Sequence, residues 1–384
     1  MSVVAPSRRP SWGTSPIPGP AGRVHTSPVH RPMIAARDGT STDITETPGH
    51  RKAVRMSNRA PVPTPAHVPV LAQSCVELLA PALAKPGSVL IDGTLGLGGH
   101  AELVLARFPD VTVLGIDRDQ SALAFAAERL AGYGDRLRTW HGTFDAIPTA
   151  MTATGVSTVS GVLLDLGVSS MQLDQGTRGF AYSYDAPLDM RMDQSQGPTA
   201  ADILADASRE ELVGILRQYG EEKFAGRIAD RIVAARQRSD IVSSTQLVEL
   251  VTAAIPARTR RTGGHPAKRT FQALRIAVND ELQRLRDALP VALHALTVHG
   301  RLVVMSYQSL EDRIVKRTFA AGTQPSVPVD LPFVPDDARP WLQPVTRGAQ
   351  VASAEEIAGN PRAASVRLRA VEKVRSVEQF RGAS

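Results

Sequence analysis

Three aspartates stand where an apolar run gives way to a turn: Asp92 in "VLIDGTLGLGGHAELVL", Asp117 in "LGIDRD" and Asp165 in "LLDLGVSSMQLD". Gly93, Gly96, Gly98 and Gly99 follow Asp92, and apolar residues then return at helical spacing. Glycine accepts positive φ and lets a ligand come close to the backbone. A loop of this kind at the start of a helix also aims backbone amides at that ligand. No Gly-Lys-Ser/Thr follows, so it is not a P-loop. A nicotinamide dinucleotide would set its pyrophosphate at the helix start, where Asp92 repels it. A cofactor bearing ammonium and sulfonium groups suits a carboxylate there, which favours S-adenosylmethionine. Asp117 can accept both ribose hydroxyls of an adenosine, a role that fits either cofactor. Asp119 is better placed to cap the helix opening at Gln120. Phe144 in "WHGTF" sits where it could stack on an adenine or fill the core.

Asp165 raises a different chemistry. Amino-group methyltransferases often carry Asp/Asn-Pro-Pro-aromatic at the end of this strand. An exocyclic amine conjugated to a base ring has little free lone pair. A hydrogen-bond acceptor on its N–H pyramidalises it and turns it toward the methyl group. Here the aspartate is present, but Leu166-Gly167-Val168 replaces the prolines and the aromatic. Ser169, Ser170 or a backbone carbonyl of that loop are alternative acceptors.

Positioning these groups requires a sheet whose strands end along one edge. Strand patterns at 88–91, 111–116, 137–140 and 161–166 alternate with helix patterns at 73–83, 100–107 and 120–130. The 161–166 run shows no polar alternation, as expected of a parallel strand covered on both faces. The alternation predicts a doubly wound α/β domain. It resumes with a helix over 271–289, a strand over 301–305, a helix over 310–319 and a strand over 365–371. Between them the patterns at 210–219, 223–236 and 244–254 are helical without strands, which predicts a helical insertion over the ligand crevice. The expected organisation is a leader over 1–60, a first sheet segment over 61–175, the insertion over 176–270, and a second sheet segment over 271–384.

The chain of 384 residues has 44 Lys+Arg against 38 Asp+Glu. Nine of those bases and three of the acids lie within residues 1–60, so the remainder holds 35 of each. The basic excess therefore belongs to a Pro-, Ser- and Thr-rich stretch without periodicity, which reads as disordered. It could attract RNA phosphates weakly; equally it is a dispensable leader, with Met33 and Met56 as alternative starts. The single cysteine, Cys75, excludes an internal disulfide and a Cys-based zinc site, and reads as a small buried apolar residue. No metal site is expected. No apolar run nears the ~18 residues of a membrane span, and no signal-peptide apolar region is present. The expectation is a cytoplasmic protein.

"DGTLGLGGH", "IDRD", "LLDLGVSSMQLD", "RGFAY", "PLDMRMD", "YGEEKFAGRIA", "HPAKRTFQALRIAVNDEL", "SLEDRIVK" and "NPRAASVRLR" stand in this order. Together they resemble the RsmH (also MraW) family of bacterial ribosomal RNA methyltransferases, which methylate the N4 of a cytidine in 16S rRNA. The resemblance covers roughly residues 65 to 370. It implies a class I (Rossmann-like) S-adenosylmethionine methyltransferase fold with a helical insertion. It also implies 16S rRNA, within the small ribosomal subunit, as partner. Carried onto this sequence, the cofactor contacts fall on Gly98, Gly99, His100, Asp117, Phe144, Asp165 and Gln172, with Asp165 also the candidate catalytic residue. The sequence departs from the family at Ser306-Tyr307-Gln308-Ser309, where Ser-Phe-His-Ser is usual. A histidine base there could not be replaced by Gln308. Ala364 stands where the family prefers arginine.

An RNA surface is expected at the exit of the insertion. Residues 256–276 hold Arg258, Arg260, Arg261, Lys268, Arg269 and Arg275 with no acid, and basic loops suit phosphate contact. Arg191, between acids in "PLDMRMD", could line the path of a flipped base or belong to a structural turn. Two other classes fit parts of the pattern: a nicotinamide-dependent oxidoreductase, and a non-catalytic RNA-binding assembly factor on a methyltransferase fold.

Overall fold

A computed structural model describes residues 69–377, apart from 170, 173–177, 261–263, 326–334 and 336–337. The expected leader over 1–60 lies outside the described residues. Helix α1 (Ala72–Leu83) precedes strand β1 (Val89–Asp92). Helix α2 (Gly99–Arg107) leads to β2 (Thr112–Asp117), α3 (Gln120–Arg129) to β3 (Leu137–His141), and α4 (Ile147–Thr154) to β4 (Val159–Asp165). The C-terminal part supplies α10 (Glu281–Ala295), β5 (Leu296–Ser306), α11 (Ser309–Thr323), β6 (Leu342–Pro344), α12 (Ala354–Gly359) and β7 (Arg367–Lys373). No helix among the described residues is long and apolar enough to cross a membrane.

The seven strands form one sheet in the order β3-β2-β1-β4-β5-β7-β6. The β1–β5 pairings are parallel, and β7 runs antiparallel to both β5 and β6. Alternate residues of a strand point to opposite faces, and here both faces are covered. Leu163, Val303 and Met305 join the cluster packed against α1 and α2; Val162, Leu164, Leu302 and Val304 join the one packed against α4 and α10. That explains the continuous apolar run in β4. The strand order reverses at β1, which lies between β2 and β4, so a crevice opens at the carboxyl ends of these strands. Asp92, Asp117 and Asp165 are the last residues of β1, β2 and β4.

The insertion comprises α5 (Ala200–Asp206), α6 (Arg209–Gln218), α7 (Ala225–Arg236), α8 (Ser244–Ala254), a single turn at Ala257–Arg260, and α9 (Lys268–Asn279). Thr199, Ser208 and Ser243 start α5, α6 and α8 as capping boxes with Asp202, Glu211 and Gln246. The helices bury a core of their own, including Leu212, Leu216, Ile228 and Ile232, each worth ~1.5–3 kcal/mol by transfer from water.

The single helix expected over 271–289 is two. Asp280 takes a left-handed conformation (φ 52°, ψ 34°) between α9 and α10. Aspartate tolerates this because its short polar side chain can bond locally. The buried Asn279 holds the break in place: its Nδ2 donates to Met190 O at 2.8 Å, and its Oδ1 accepts from the Met192 N–H at 2.8 Å. Helical periodicity runs through the break, so the pattern alone does not reveal it.

Candidate active site

A cavity of about 510 Å³ lies over the carboxyl ends of the central strands, within the ~300–1,000 Å³ range of small-molecule sites. It is lined by the glycine loop with Asp117 and Phe144, by Asp165 to Ser169, and by Phe180, Tyr182, Met192 and Phe271 of the insertion.

The loop is built by the strand tips beside it. Gly96, at φ 52°, donates its N–H to Asp117 Oδ2 at 2.7 Å. Asp117 Oδ1 accepts from the Asp119 N–H at 2.8 Å. Burial raises the Asp117 pKa above its ordinary value, and these two N–H groups pull it back down. Its carboxylate lines the cavity with lone pairs left for hydroxyl donors. Asp119 caps α3, accepting from the Ser121 and Ala122 N–H groups as expected. Asp92 is 1% exposed and does not line the cavity. It accepts from Thr94 N–H beneath the loop, and burial pushes its carboxyl up to about 6. Its role is to shape the loop from below rather than to face a ligand.

Of the residues expected to contact cofactor, Gly99, His100, Asp117, Phe144, Asp165 and Gln172 line the cavity and Gly98 does not. Gly98 sits at φ 79° as the first residue ahead of α2, where a Cβ would meet Leu130 at 2.8 Å. It makes the turn that brings Gly99 to the wall. Gln172 is committed at both ends of its amide: Nε2 donates to Asp119 Oδ2 at 3.0 Å, and Oε1 accepts from Ser169 N–H at 3.0 Å. His100 is buried, with Nε2 3.1 Å from Val70 O and Nδ1 3.8 Å from Asp165 Oδ2. Phe144 both lines the cavity and packs against the core cluster, so core packing does not exclude an adenine contact. Ser169 lines the cavity; Ser170 lies outside the described residues.

Asp165 has a partner that sequence reading missed. The Tyr307 hydroxyl donates to Asp165 Oδ1 at 2.8 Å. Burial and the carboxylate raise the Tyr307 pKa, so it stays a donor. Asp165 and Met305 are paired in adjacent parallel strands, which brings Tyr307, two residues further on, to the same edge. The usable signal was a tyrosine where the family has phenylalanine. A second polar cluster was also missed. Arg275 binds Glu281 through Nε at 2.8 Å and Nη2 at 3.0 Å, and lines the cavity. Burial pushes the nearby Glu311 up to about 7 against the pull of Arg275. Glu311 accepts from the Tyr307 and Gln308 N–H groups at 2.9 and 3.1 Å. Gln308 lines the cavity and donates from Nε2 to Glu311 Oε1 at 3.2 Å.

Among the described residues of the expected RNA surface, Lys268 and Arg275 line the cavity, Arg275 already held by Glu281. Arg191 is instead clamped on Asp189, with Nε and Nη2 donating at 2.7 and 2.9 Å, because Asp189 stands two residues away in the same turn. That supports its structural reading. Arg269 donates to Glu221 O at 3.1 Å, and Arg258 is exposed on the Ala257–Arg260 turn. Arg261 and the side chain of Arg260 lie outside the described residues.

The residues present fit S-adenosylmethionine. A carboxylate able to accept ribose hydroxyls, an aromatic ring able to stack on adenine, a close-approach loop and Asp165 line one cavity.

Residues 64–374 match the MraW methylase family. A protein named ribosomal RNA small subunit methyltransferase H from a Nocardioides species is 59% identical over 309 residues, covering 80% of this chain and 97% of its own length. Proteins of the same name from Beutenbergia cavernae and a Parafrankia species are 58% and 56% identical, covering 93% and 94% of their lengths. Aligned through both the sheet and the insertion, the chain belongs to the MraW methylase family.

Proposed function

We propose that the protein transfers a methyl group from S-adenosylmethionine to the N4 amino group of a cytidine in 16S rRNA of the small ribosomal subunit. Family membership and the relatives' shared name make it an S-adenosylmethionine-dependent small-subunit ribosomal RNA methyltransferase; the target atom is our addition. One observation carries it: Asp165 lines the same cavity as Asp117 and the insertion's aromatic residues Phe180, Tyr182 and Phe271. A carboxylate there can accept an N–H of an exocyclic amine.

Bound cofactor supplies an electrophilic methyl group on a sulfonium. Asp117 would hold its ribose, Phe144 its adenine, and the Gly96, Leu97 and Gly99 backbone would lie against it. Asp165 accepts one amine hydrogen and frees the nitrogen lone pair for in-line attack. Tyr307 fixes the plane of that carboxylate through its 2.8 Å hydrogen bond. Alignment is the main contribution, and positioning of this kind supplies ~7–11 kcal/mol. The proton is lost after methylation, when the nitrogen is strongly acidic, so Gln308 at the family's histidine position does not prevent turnover. Residues 176–270 form the RNA-recognition segment, with Lys268 at the cavity meeting phosphate.

The test is transfer of labelled methyl groups to purified small subunits, followed by nucleoside analysis. Label in N4-methylcytidine is expected. Label in another nucleoside overturns the target atom, and no transfer favours a non-catalytic assembly role.

A further inference from the structure

Tyr182 and His265 form a parallel stack on the insertion side of the cavity. Their ring centroids are 4.5 Å apart and their planes differ by 13°. Phe271 meets Tyr182 edge-on at 5.8 Å and 80°. Tyr182 and Phe271 line the cavity, whereas His265 is exposed. The stack therefore runs from the cavity wall out to solvent.

His265 is held in its orientation from the other side. The Ala267 N–H donates to its Nδ1 at 3.3 Å, which leaves the ring proton of the neutral imidazole on Nε2. An aromatic pair in a core is sealed by apolar neighbours; this one ends in a ring facing water. Its ordering entropy is already lost on folding, so one more ring can stack on it with little further ordering of the protein. Lys268 and Arg269 follow on the first turn of α9, both exposed. Aromatic rings beside cations are the make-up of single-stranded nucleic-acid surfaces: bases stack on the rings while phosphates meet the charges.

We infer that the exposed face of His265 is a stacking platform for a base of the single-stranded RNA segment that delivers the target nucleotide, with Tyr182 as the ring beneath it. This rests on the RNA reading above and deepens it. Every base has a π-face, so the platform is tolerant of base identity. It holds the strand, and the cavity selects the nucleotide.

His265→Ala and His265→Phe test this at an exposed position. His265→Ala is expected to raise the KM for small subunits about fivefold or more, the loss of one stacked base. The kcat and the S-adenosylmethionine affinity should stay within about twofold. His265→Phe keeps a stacking face without Nε2–H and should restore the KM. In parallel, a short RNA with a fluorescent base analogue should be quenched by the wild type and His265→Phe but not by His265→Ala. An unchanged KM in His265→Ala, or equal loss in His265→Phe, overturns the platform. If the wild type methylates nothing, the proposed function fails separately, and the quenching measurement still decides the stack.

Discussion

Asp165→Asn distinguishes holding the amine from holding the cofactor. The substitution keeps size and one acceptor oxygen. In the structure Asp165 Oδ1 accepts the Tyr307 hydroxyl at 2.8 Å, while Oδ2 lies 3.8 Å from His100 Nδ1. With the asparagine carbonyl kept toward the Tyr307 hydroxyl, as Oδ1 is in the structure, its NH2 takes the place of Oδ2. An acceptor for the amine is then replaced by a donor. Losing one contact made to the reacting group in the transition state costs ~10²–10³ in rate, about 2.7–4 kcal/mol. Asp117 and Phe144 are untouched, so cofactor affinity should change far less. The assay is single-turnover methylation of small subunits at saturating S-adenosylmethionine. Tyr307→Phe alone should lose a charge-assisted hydrogen bond of ~1.5–3 kcal/mol. In the Asp165→Asn background the bond is to a neutral carbonyl, so the loss should fall to ~0.5–1.5 kcal/mol. An Asp165→Asn rate within threefold of wild type at saturating cofactor would refute the catalytic role. Effects that simply add would refute the coupling.

Asp117→Ala removes the ribose acceptor and also the anchor of the Gly96 N–H; calorimetry should show roughly ten- to a hundredfold weaker S-adenosylmethionine binding, and unchanged affinity would overturn the assignment. Glu311 retains its proton in the folded chain up to about pH 7, against an ordinary value of 4.5. Between those values the native state binds more protons than the unfolded one, so stability falls as pH rises. Urea midpoints should therefore drop more steeply from pH 5 to 8 in the wild type than in Glu311→Gln, and parallel curves would contradict this. Arg275→Met leaves Glu281 and Glu311 in a buried site without their cation. It should lower unfolding free energy by about 3–5 kcal/mol, measured by urea denaturation; a loss under 1 kcal/mol would show that water replaces the guanidinium.

The cofactor half of the site is legible in the chain because its determinants are local. An apolar run that stops at a carboxylate marks a strand tip, so Asp92, Asp117 and Asp165 could be placed at the sheet edge from pattern alone, though only the fold shows that Asp92 is buried beneath the loop. Gly96 and Gly98 adopt the positive φ that their spacing announced. Capping residues such as Asp119 and Ser243 act within three positions of themselves. The substrate half is different. Tyr307 meets Asp165 across 142 positions and Arg178 meets Asp119 across 59. Such pairs depend on strand order and on where the insertion lies, and neither is encoded in periodicity. Arg191 reads from the sequence either as lining the path of a flipped base or as part of a structural turn; its fork closes on Asp189, and only the folded turn shows this. The break at Asp280 is likewise invisible to a helical repeat, because apolar spacing continues through it. It is set by Asn279 reaching Met190 and Met192 in the insertion. Local conformational preference thus located the acids and the loop, while long-range packing alone determined which polar groups are paired, which remain open to a ligand, and that Tyr182 and His265 lie face to face.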